Sequence, residues 1–304
     1  MPSPIQIRMG GYGPPSTGFS RSLKFIGDGL AKQFGDRVDI KYVWNIMDFG
    51  YKAEEIVWLV DSGVLTLGYQ SSSYLTDRVV ELGFVDLPFL FRDNEHARGA
   101  MDGALGQRLR EAIESKYNFR ILGWFENGFR QISNRVRAIR TPGDLKGIHI
   151  RVLPSRIQER TFELLGARPQ IMDLTEAIAM IKAGTIDAQE NPLTNTVTYG
   201  VHNFHRFHTI SNHFYISRPI FLHRPTYEAW PDDLKSAMQR LVTESVAFQR
   251  DLHEQEELDA EKAIKQQRCE IVTLSPEQHK AFAAAVQPIY RETKSLYGDL
   301  FTLI

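Results

Sequence analysis

An arginine occupies a strand-like segment near the middle of the sequence. In residues 147–152 (GIHIRV), isoleucine and valine alternate with His149 and Arg151, which is the period-two pattern of a β-strand with one apolar face. A guanidinium fixed on a strand can hold an oxyanion, because its planar fork donates two parallel hydrogen bonds and keeps its proton. Arg151 therefore has two interpretations: it binds an anionic ligand, or it pairs with an acidic residue at the surface.

Three further segments place polar or aromatic groups where ligands often bind. Tyr12 follows the first predicted strand in a glycine-rich turn, and Gln70, Ser71 and Tyr74 lie in the loop after the third. Ligands of open α/β sheets bind at the carboxyl ends of the strands, although such a loop can equally be a solvated turn. Asn191 follows a strand predicted at 185–189 and lies just before a proline, so its amide is expected to cap a helix, to help hold an anion, or to do both.

Other kinds of site have little support in the sequence. His202, His205 and His208 recur every third residue, but no neighbouring cysteine or carboxylate completes a familiar metal-ligand set. The chain has one cysteine, and it contains no phosphate-binding P-loop, no nucleophile elbow and no zinc-protease motif. We therefore predict no metal, no cofactor and no enzymatic activity.

The composition is that of a soluble globular protein. The 304 residues are 42% hydrophobic and 24% charged, and the formal net charge of -1 gives no electrostatic footprint for nucleic acid. No apolar run is long enough to span a bilayer. The sequence reaches its first strand without a secretory leader, so we expect either a cytoplasmic protein or one whose signal peptide has been replaced by a start methionine.

Strands and helices alternate through two successive regions, which predicts an α/β fold with two lobes and a central cleft. A βαβαβ rhythm opens the chain, a long helix is expected at 94–116, and a second alternation begins near residue 130. Asp173 is the expected N-cap of a helix at 175–183. A helix from 232 to about 267 should span both lobes, which we predict as 1–125 with 212–252 and 126–211 with 253–304.

Several segments, in this order, resemble the substrate-binding proteins of TRAP transporters, the DctP type of extracytoplasmic solute receptor. The match runs from the first strand to the final helix, and its clearest parts are DLPFLF at 86–91, DLKGIHIRV at 144–152, LGA at 165–167, the segment from Glu176 to AGTID at 183–187, QENP at 189–192 and TISNH at 209–213.

The resemblance implies a two-lobed periplasmic binding protein fold of the type II kind, closing around an organic acid for delivery to a TRAP membrane permease. We accordingly expect a periplasmic monomer whose signal peptide has been removed. In this family the arginine matching Arg151 makes a bidentate salt bridge to the ligand carboxylate. The positions expected to support it or to line the pocket are Arg130, Asn191, His213 and Leu174, while Ser71 and Tyr74 are expected to choose what lies beyond the carboxylate.

Two alternatives to this receptor stay open at the level of sequence. An α/β enzyme acting on a carboxylate substrate would use His149 or His213 as a general base. A cytoplasmic ligand-sensing protein would bind the same kind of molecule without a permease. Sialic-acid-binding members of the family carry charged residues at the positions of Ser71 and Tyr74, so the resemblance does not extend to that ligand. Aromatic residues near the expected pocket favour a compact or aromatic carboxylate.

Overall fold

The computed structural model describes residues 3–304, and within them the chain forms eleven strands and eleven α-helices. The strands are β1 (Ile5–Gly10), β2 (Val38–Val43), β3 (Leu67–Tyr69), β4 (Phe119–Phe129), β5 (Gln131–Asn134), β6 (His149–Val152), β7 (Arg168–Ile171), β8 (Ala188–Asn191), β9 (Phe207–Ile210), β10 (Tyr215–His223) and β11 (Glu270–Thr273). The helices are α1 (Gly18–Phe34), α2 (Ile56–Asp61), α3 (Asn94–Asp102), α4 (Ala104–Lys116), α5 (Arg156–Leu164), α6 (Leu174–Ala183), α7 (Leu193–Thr198), α8 (Arg224–Glu228), α9 (Asp232–Gln266), α10 (Pro276–Ala285) and α11 (Gln287–Tyr297).

The chain divides into two compact units. The first consists of the described chain up to Ser71 with Arg110–Glu126 and Ser217–Gln255, and the second consists of Ser72–Leu109, Asn127–Ile216 and Glu256–Ile304. Residues 72–109 thus cluster with the second unit, whereas the sequence-based division counts them in the first lobe. The long helix α9 has residues in both units.

The first unit is built on a five-stranded sheet in the order β2-β1-β3-β10-β4. The strand β1 runs parallel to β2 and to β3, as the βαβαβ rhythm predicts, while β10 is antiparallel to β3. Between β1 and β2, α1 buries an apolar stripe that includes Leu23, Ile26 and Leu30.

The second unit is built on a six-stranded sheet in the order β11-β9-β5-β8-β6-β7. The strand β6 lies inside this sheet, parallel to β8 on one side and to β7 on the other. Its Ile150 and Val152 enter an apolar core together with Phe162 of α5 and Ala188 of β8. This core fixes β6, and with it the backbone of Arg151.

Two predicted elements differ from the structure. The helix expected at 94–116 is two helices, because the backbone of Gly103 leaves the helical conformation, with φ -97° and ψ -147°. The chain is tight at this point, since a Cβ on Gly103 would lie 2.9 Å from the carbonyl oxygen of Gly99. The strand expected at 185–189 is β8, which runs from Ala188 to Asn191. Within residues 3–304, no helix has the length and apolar character needed to cross a bilayer.

Candidate functional site

Arg151 is held inside the second unit by its strand. Gly147 makes the turn that leads into β6. Its φ of +76° is a backbone conformation that residues with a Cβ rarely adopt. In the sheet register Arg151 lies beside Gln189 of β8 and Gln170 of β7, and its side chain is 0% exposed. The interpretation of Arg151 as half of a surface ion pair is therefore wrong.

The guanidinium of Arg151 uses only part of its hydrogen-bonding capacity. Its Nε donates to the carbonyl oxygen of Met172 at 3.1 Å, and its Nη2 donates to the hydroxyl oxygen of Tyr74 at 2.9 Å. Its Nη1 is buried and has no hydrogen-bond partner among residues 3–304. Nor does any carboxylate in this described part of the chain form a salt bridge with Arg151 within 4.0 Å.

The start of α6 meets Arg151 at the same tyrosine. The backbone N–H of Leu174, the first residue of the helix, donates to the Tyr74 hydroxyl oxygen at 3.1 Å. Asp173 is the N-cap, as predicted, and its side chain accepts a hydrogen bond from the N–H of Thr175 at 2.7 Å. Arg151, Tyr74 and Leu174, three of the predicted site residues, are thus brought together.

Arg130 has a carboxylate partner inside the protein. Its Nε donates to Oε2 of Glu190, while its Nη2 donates to Oε1 at 2.8 Å and to the backbone carbonyl oxygen of Glu190 at 2.7 Å. The side chains of Arg130 and Glu190 are 1% and 0% exposed. Arg130 is expected to help hold the ligand carboxylate, and that contact stays a prediction. Within the protein its counter-ion is Glu190, a pairing that no local sequence pattern indicates.

His213 completes this buried group. Its Nε2 lies 3.6 Å from Oε2 of Glu190, and its Nδ1 lies 2.7 Å from the hydroxyl oxygen of Ser211. Burial raises the pKa of the Glu190 carboxyl, but Arg130 and His213 outweigh burial and hold that pKa below its ordinary value. Burial lowers the pKa of His213 and outweighs the attraction of Glu190, so the imidazole is neutral at neutral pH.

Arg151 and the partner of Arg130, Glu190, lie on opposite faces of the sheet. Successive side chains of a strand alternate between faces, so Gln189 and Asn191 share the face of Arg151, whereas Glu190 points to the other face with Ala188 and the apolar core. Arg130 therefore reaches its partner on the core side.

Asn191 belongs to a buried set of amides. Its Nδ2 donates to Oε1 of Gln189 at 3.2 Å, and its Oδ1 accepts from Nδ2 of Asn195 at 3.1 Å. The expectation that Asn191 caps the following helix is wrong, because the N-cap of α7 is Pro192 and Asn191 is the last residue of β8. Its side chain is hydrogen-bonded to those of Gln189 and Asn195, and Gln189 lies beside Arg151 in the sheet.

The remaining predicted site residues lie in the first unit. Gln70 is 0% exposed and uses both ends of its amide locally, because its Nε2 donates to the carbonyl oxygen of Ala53 at 2.8 Å and its Oε1 accepts from the N–H of Ser71 at 2.8 Å. Ser71 is buried as well. Gln70 therefore shapes the loop after β3.

Tyr12 forms part of an aromatic cluster around a buried arginine that sequence reasoning missed. The guanidinium carbon of Arg218 lies 4.0 Å from the ring centroid of Phe19 and 5.0 Å from that of Tyr12. The signal was present, because Arg218 interrupts the apolar strand β10 just as Arg151 interrupts β6.

The histidines at 202, 205 and 208 do not form a metal site. Within residues 3–304, no group of three or more His, Cys, Asp or Glu side chains is placed to hold a metal ion. The imidazole of His205 contacts the hydroxyl oxygen of Ser133 at 3.0 Å, and Nε2 of His208 contacts the carbonyl oxygen of His205 at 3.1 Å. Burial lowers the pKa of His205 to about 3 and that of His208 to about 4, so both are neutral core residues.

Comparisons with known proteins identify similar sequences and folds. Residues 47–295 match the family model for bacterial extracellular solute-binding protein, family 7. A solute-binding protein of Verminephrobacter eiseniae is 29% identical over 270 residues, which cover 88% of this chain and 79% of that protein.

Two solved structures share the fold along almost the whole chain. A TRAP periplasmic solute-binding protein from Sulfurospirillum deleyianum, with bound succinate, has a TM-score of 0.91 at 26% identity and covers 98% of this chain and 97% of its own. The sugar acid binding protein of Advenella mimigardefordensis, in complex with galactonate, has a TM-score of 0.93 at 26% identity, with coverage of 99% and 97%. These matches confirm the predicted fold class, and the matching proteins are solute-binding receptors rather than enzymes.

Proposed function

Because the chain belongs to family 7 of the bacterial extracellular solute-binding proteins, we propose that it is a TRAP-transporter receptor that binds an organic acid through a salt bridge to Arg151. The observation that carries this proposal is the buried guanidinium of Arg151, whose Nη1 has no partner among residues 3–304. A fully buried charge without a counter-ion is costly, on the order of 3–5 kcal/mol where a partner is missing. A ligand carboxylate would supply both the missing charge and the missing acceptors.

The donor geometry supports a bidentate contact. A guanidinium has five N–H groups, and the bonds to Met172 and Tyr74 engage only two of those of Arg151. Both groups on Nη1 and one on Nη2 have no acceptor among residues 3–304, and a guanidinium with free donors can hold a carboxylate through two parallel hydrogen bonds. Arg130, in contrast, already has Glu190 as its counter-ion, so of these two arginines only Arg151 lacks a carboxylate partner in the described chain.

The ligands of the solved relatives point to the same class of molecule. Succinate and galactonate differ in length and in hydroxyl content, and the carboxylate is the group they share. We propose that this chain likewise anchors a carboxylate, and that other side chains select the remainder of the ligand. Direct ligand contacts by Arg130, Asn191, His213 and the first-unit residues Tyr12, Gln70 and Ser71 stay predictions.

The transport role extends the proposal to partners and compartment. The family is extracellular by description, and the relative with bound succinate is a periplasmic protein of a TRAP system. We propose that this chain acts outside the cytoplasmic membrane as a monomer and delivers its acid to a membrane permease. Closure of the chain around the ligand stays a prediction.

A thermal-shift screen against mono- and dicarboxylates tests the proposal. A ligand at 100 times its Kd adds about 2.7 kcal/mol to the stability of the protein, which raises the Tm. We expect at least one acid to raise the Tm of the parent protein and of Arg156→Gln, a control at an exposed arginine of α5 whose side chain is 82% exposed. The same acid should leave the Tm of Arg151→Gln unchanged. An equal shift in Arg151→Gln would refute the role of Arg151.

A further inference from the structure

Two hydrogen-bond donors converge on the hydroxyl oxygen of Tyr74, as they would on an oxygen of a ligand. The Tyr74 hydroxyl oxygen accepts from Arg151 Nη2 at 2.9 Å and from the N–H of Leu174 at 3.1 Å. Leu174 begins α6, which has 10 residues, so its N–H is one of those that find no acceptor within the helix. A cation and a helix N-terminus that point at one oxygen form a site suited to an anion.

The phenol satisfies this site incompletely. It is a single neutral acceptor, and Arg151 Nη1 stays buried without a partner in the described chain. A carboxylate could place one oxygen between Nη2 and the Leu174 N–H and its second oxygen on Nη1. Such charge-assisted hydrogen bonds are roughly twice as strong as those to a neutral acceptor. The exchange of phenol for carboxylate is therefore favourable.

We propose that the Tyr74 hydroxyl is a built-in competitor of the ligand: it occupies the position of one carboxylate oxygen, and an acid must displace it from Arg151 and from the start of α6. This inference rests on the proposed function, because it takes Arg151 as the ligand anchor. This role differs from the predicted one, in which the Tyr74 side chain contacts the part of the ligand beyond the carboxylate and selects it.

Hydrogen bonds on either side of Tyr74 hold its backbone in place. Tyr74 lies in a 3-10 turn, Ser72–Leu75, and is half-buried. On one side of it, the Ser73 hydroxyl donates to Oδ1 of Asp86 at 2.7 Å, and on the other, the Thr76 hydroxyl donates to the carbonyl oxygen of Pro154 at 2.9 Å. These bonds hold the turn, so displacement requires a rotation of the ring.

The competition sets a threshold that is the same for every acid. Each ligand that uses the site displaces the same hydroxyl and meets the same cost, whatever lies beyond its carboxylate. An alcohol or an amide would replace one neutral acceptor by another and gain little. The site therefore favours anions as a class and leaves the choice between acids to other residues.

Affinity measurements on Tyr74→Phe test the inference. The probes are succinate, galactonate, pantoate, pyruvate and benzoate, titrated calorimetrically into the parent protein, Tyr74→Phe and Tyr290→Phe. Tyr290 is a matched control, since it is a half-buried tyrosine of the same unit whose hydroxyl donates to the carbonyl oxygen of Pro88 at 2.7 Å. We expect Tyr74→Phe to lower the Kd of every acid that binds by a similar factor, about tenfold, which corresponds to the loss of two competing hydrogen bonds. Tyr290→Phe should leave the Kd unchanged.

Other results overturn the inference in distinguishable ways. If Tyr74→Phe binds acids more weakly, by factors that differ between acids, then Tyr74 contacts the part of the ligand beyond the carboxylate. That result would refute the competition and leave the proposed function intact. An unchanged Kd would likewise remove the competition alone. If no acid binds any variant, the proposed function fails and the inference fails with it.

A crystal structure of the parent protein with a bound acid tests the inference independently if Tyr74→Phe does not fold. We expect a ligand oxygen within hydrogen-bond distance of both Arg151 Nη2 and the N–H of Leu174, with the Tyr74 hydroxyl displaced. A complex in which Tyr74 still accepts from both donors would contradict the competition.

Discussion

Replacing Arg130 and Arg151 separately by methionine should affect the ligand-free protein very differently. Both side chains are buried, at 1% and 0% exposure, but of the two only Arg130 has a carboxylate partner among residues 3–304. Arg130→Met leaves the buried carboxylate of Glu190 without its arginine. Breaking a buried ion pair in this way costs about 3–5 kcal/mol, because the remaining charge is uncompensated.

Arg151→Met removes a charge for which the described part of the chain provides no counter-ion, so no charged partner is left unpaired. The carbonyl oxygen of Met172 and the hydroxyl of Tyr74 each lose a donor, at about 1–3 kcal/mol for a buried group left unsatisfied. The desolvation cost of the guanidinium, several kcal/mol, disappears at the same time. The two effects offset each other, so we expect the stability to change by no more than about 2 kcal/mol.

Urea unfolding of both variants measures this contrast. The proteins should be unfolded and refolded first, so that any co-purified acid is removed and cannot stabilise the parent. The exposed Arg156 again provides a control, and Arg156→Met should unfold at the same urea concentration as the parent. If Arg151→Met loses as much stability as Arg130→Met, then Arg151 is part of an internal charge pair and the anchor hypothesis is refuted.

Two predictions concern pH. Burial raises the pKa of Asp86 to about 6, so the stability that its protonated form contributes is lost as the pH rises from about 4 to 6. The free energy of unfolding of Asp86→Asn should therefore rise relative to that of the parent by up to about 3 kcal/mol between pH 4 and pH 7. A difference in urea unfolding that stays constant with pH would contradict this. Burial lowers the pKa of His205 to about 3 and that of His208 to about 4, so their contribution is complete above about pH 6.5 and is lost as the pH falls, by up to about 1.4 kcal/mol per pH unit for each. Measured in the Asp86→Asn background, where the opposing slope is absent, replacement of His208 by Asn should flatten the dependence between pH 6.5 and pH 5, and an unchanged slope would show that His208 is not neutral in the folded protein.

The local part of the site could be predicted from the sequence. The alternation of residues 147–152 predicts a strand that holds Arg151, and Asp173 caps α6 as its spacing indicates. Both depend on contacts between residues that are close in the chain. Such patterns are governed by backbone periodicity and by unsatisfied N–H groups at the start of a helix.

The partners of the charged groups could not be predicted. Arg130 and Glu190 are 60 residues apart in sequence, and Tyr74 and Arg151 are 77 apart. These pairs exist because of the register between β5 and β8 and the placement of the turn at 72–75, neither of which has a local sequence signal. Asn191 shows the same limit, because its side chain joins other amides and leaves the cap of α7 to Pro192.

The affinity of Arg151→Gln for an acid that binds the parent protein tests the central claim most directly. Isothermal titration should give one acid per chain for the parent and a Kd at least about 100-fold weaker for the variant, since a ligand carboxylate without its guanidinium loses on the order of 3–5 kcal/mol. The variant should remain folded, because removal of the buried guanidinium is expected to change the stability by no more than about 2 kcal/mol. A folded Arg151→Gln protein that binds the acid within threefold of the parent Kd would contradict the account.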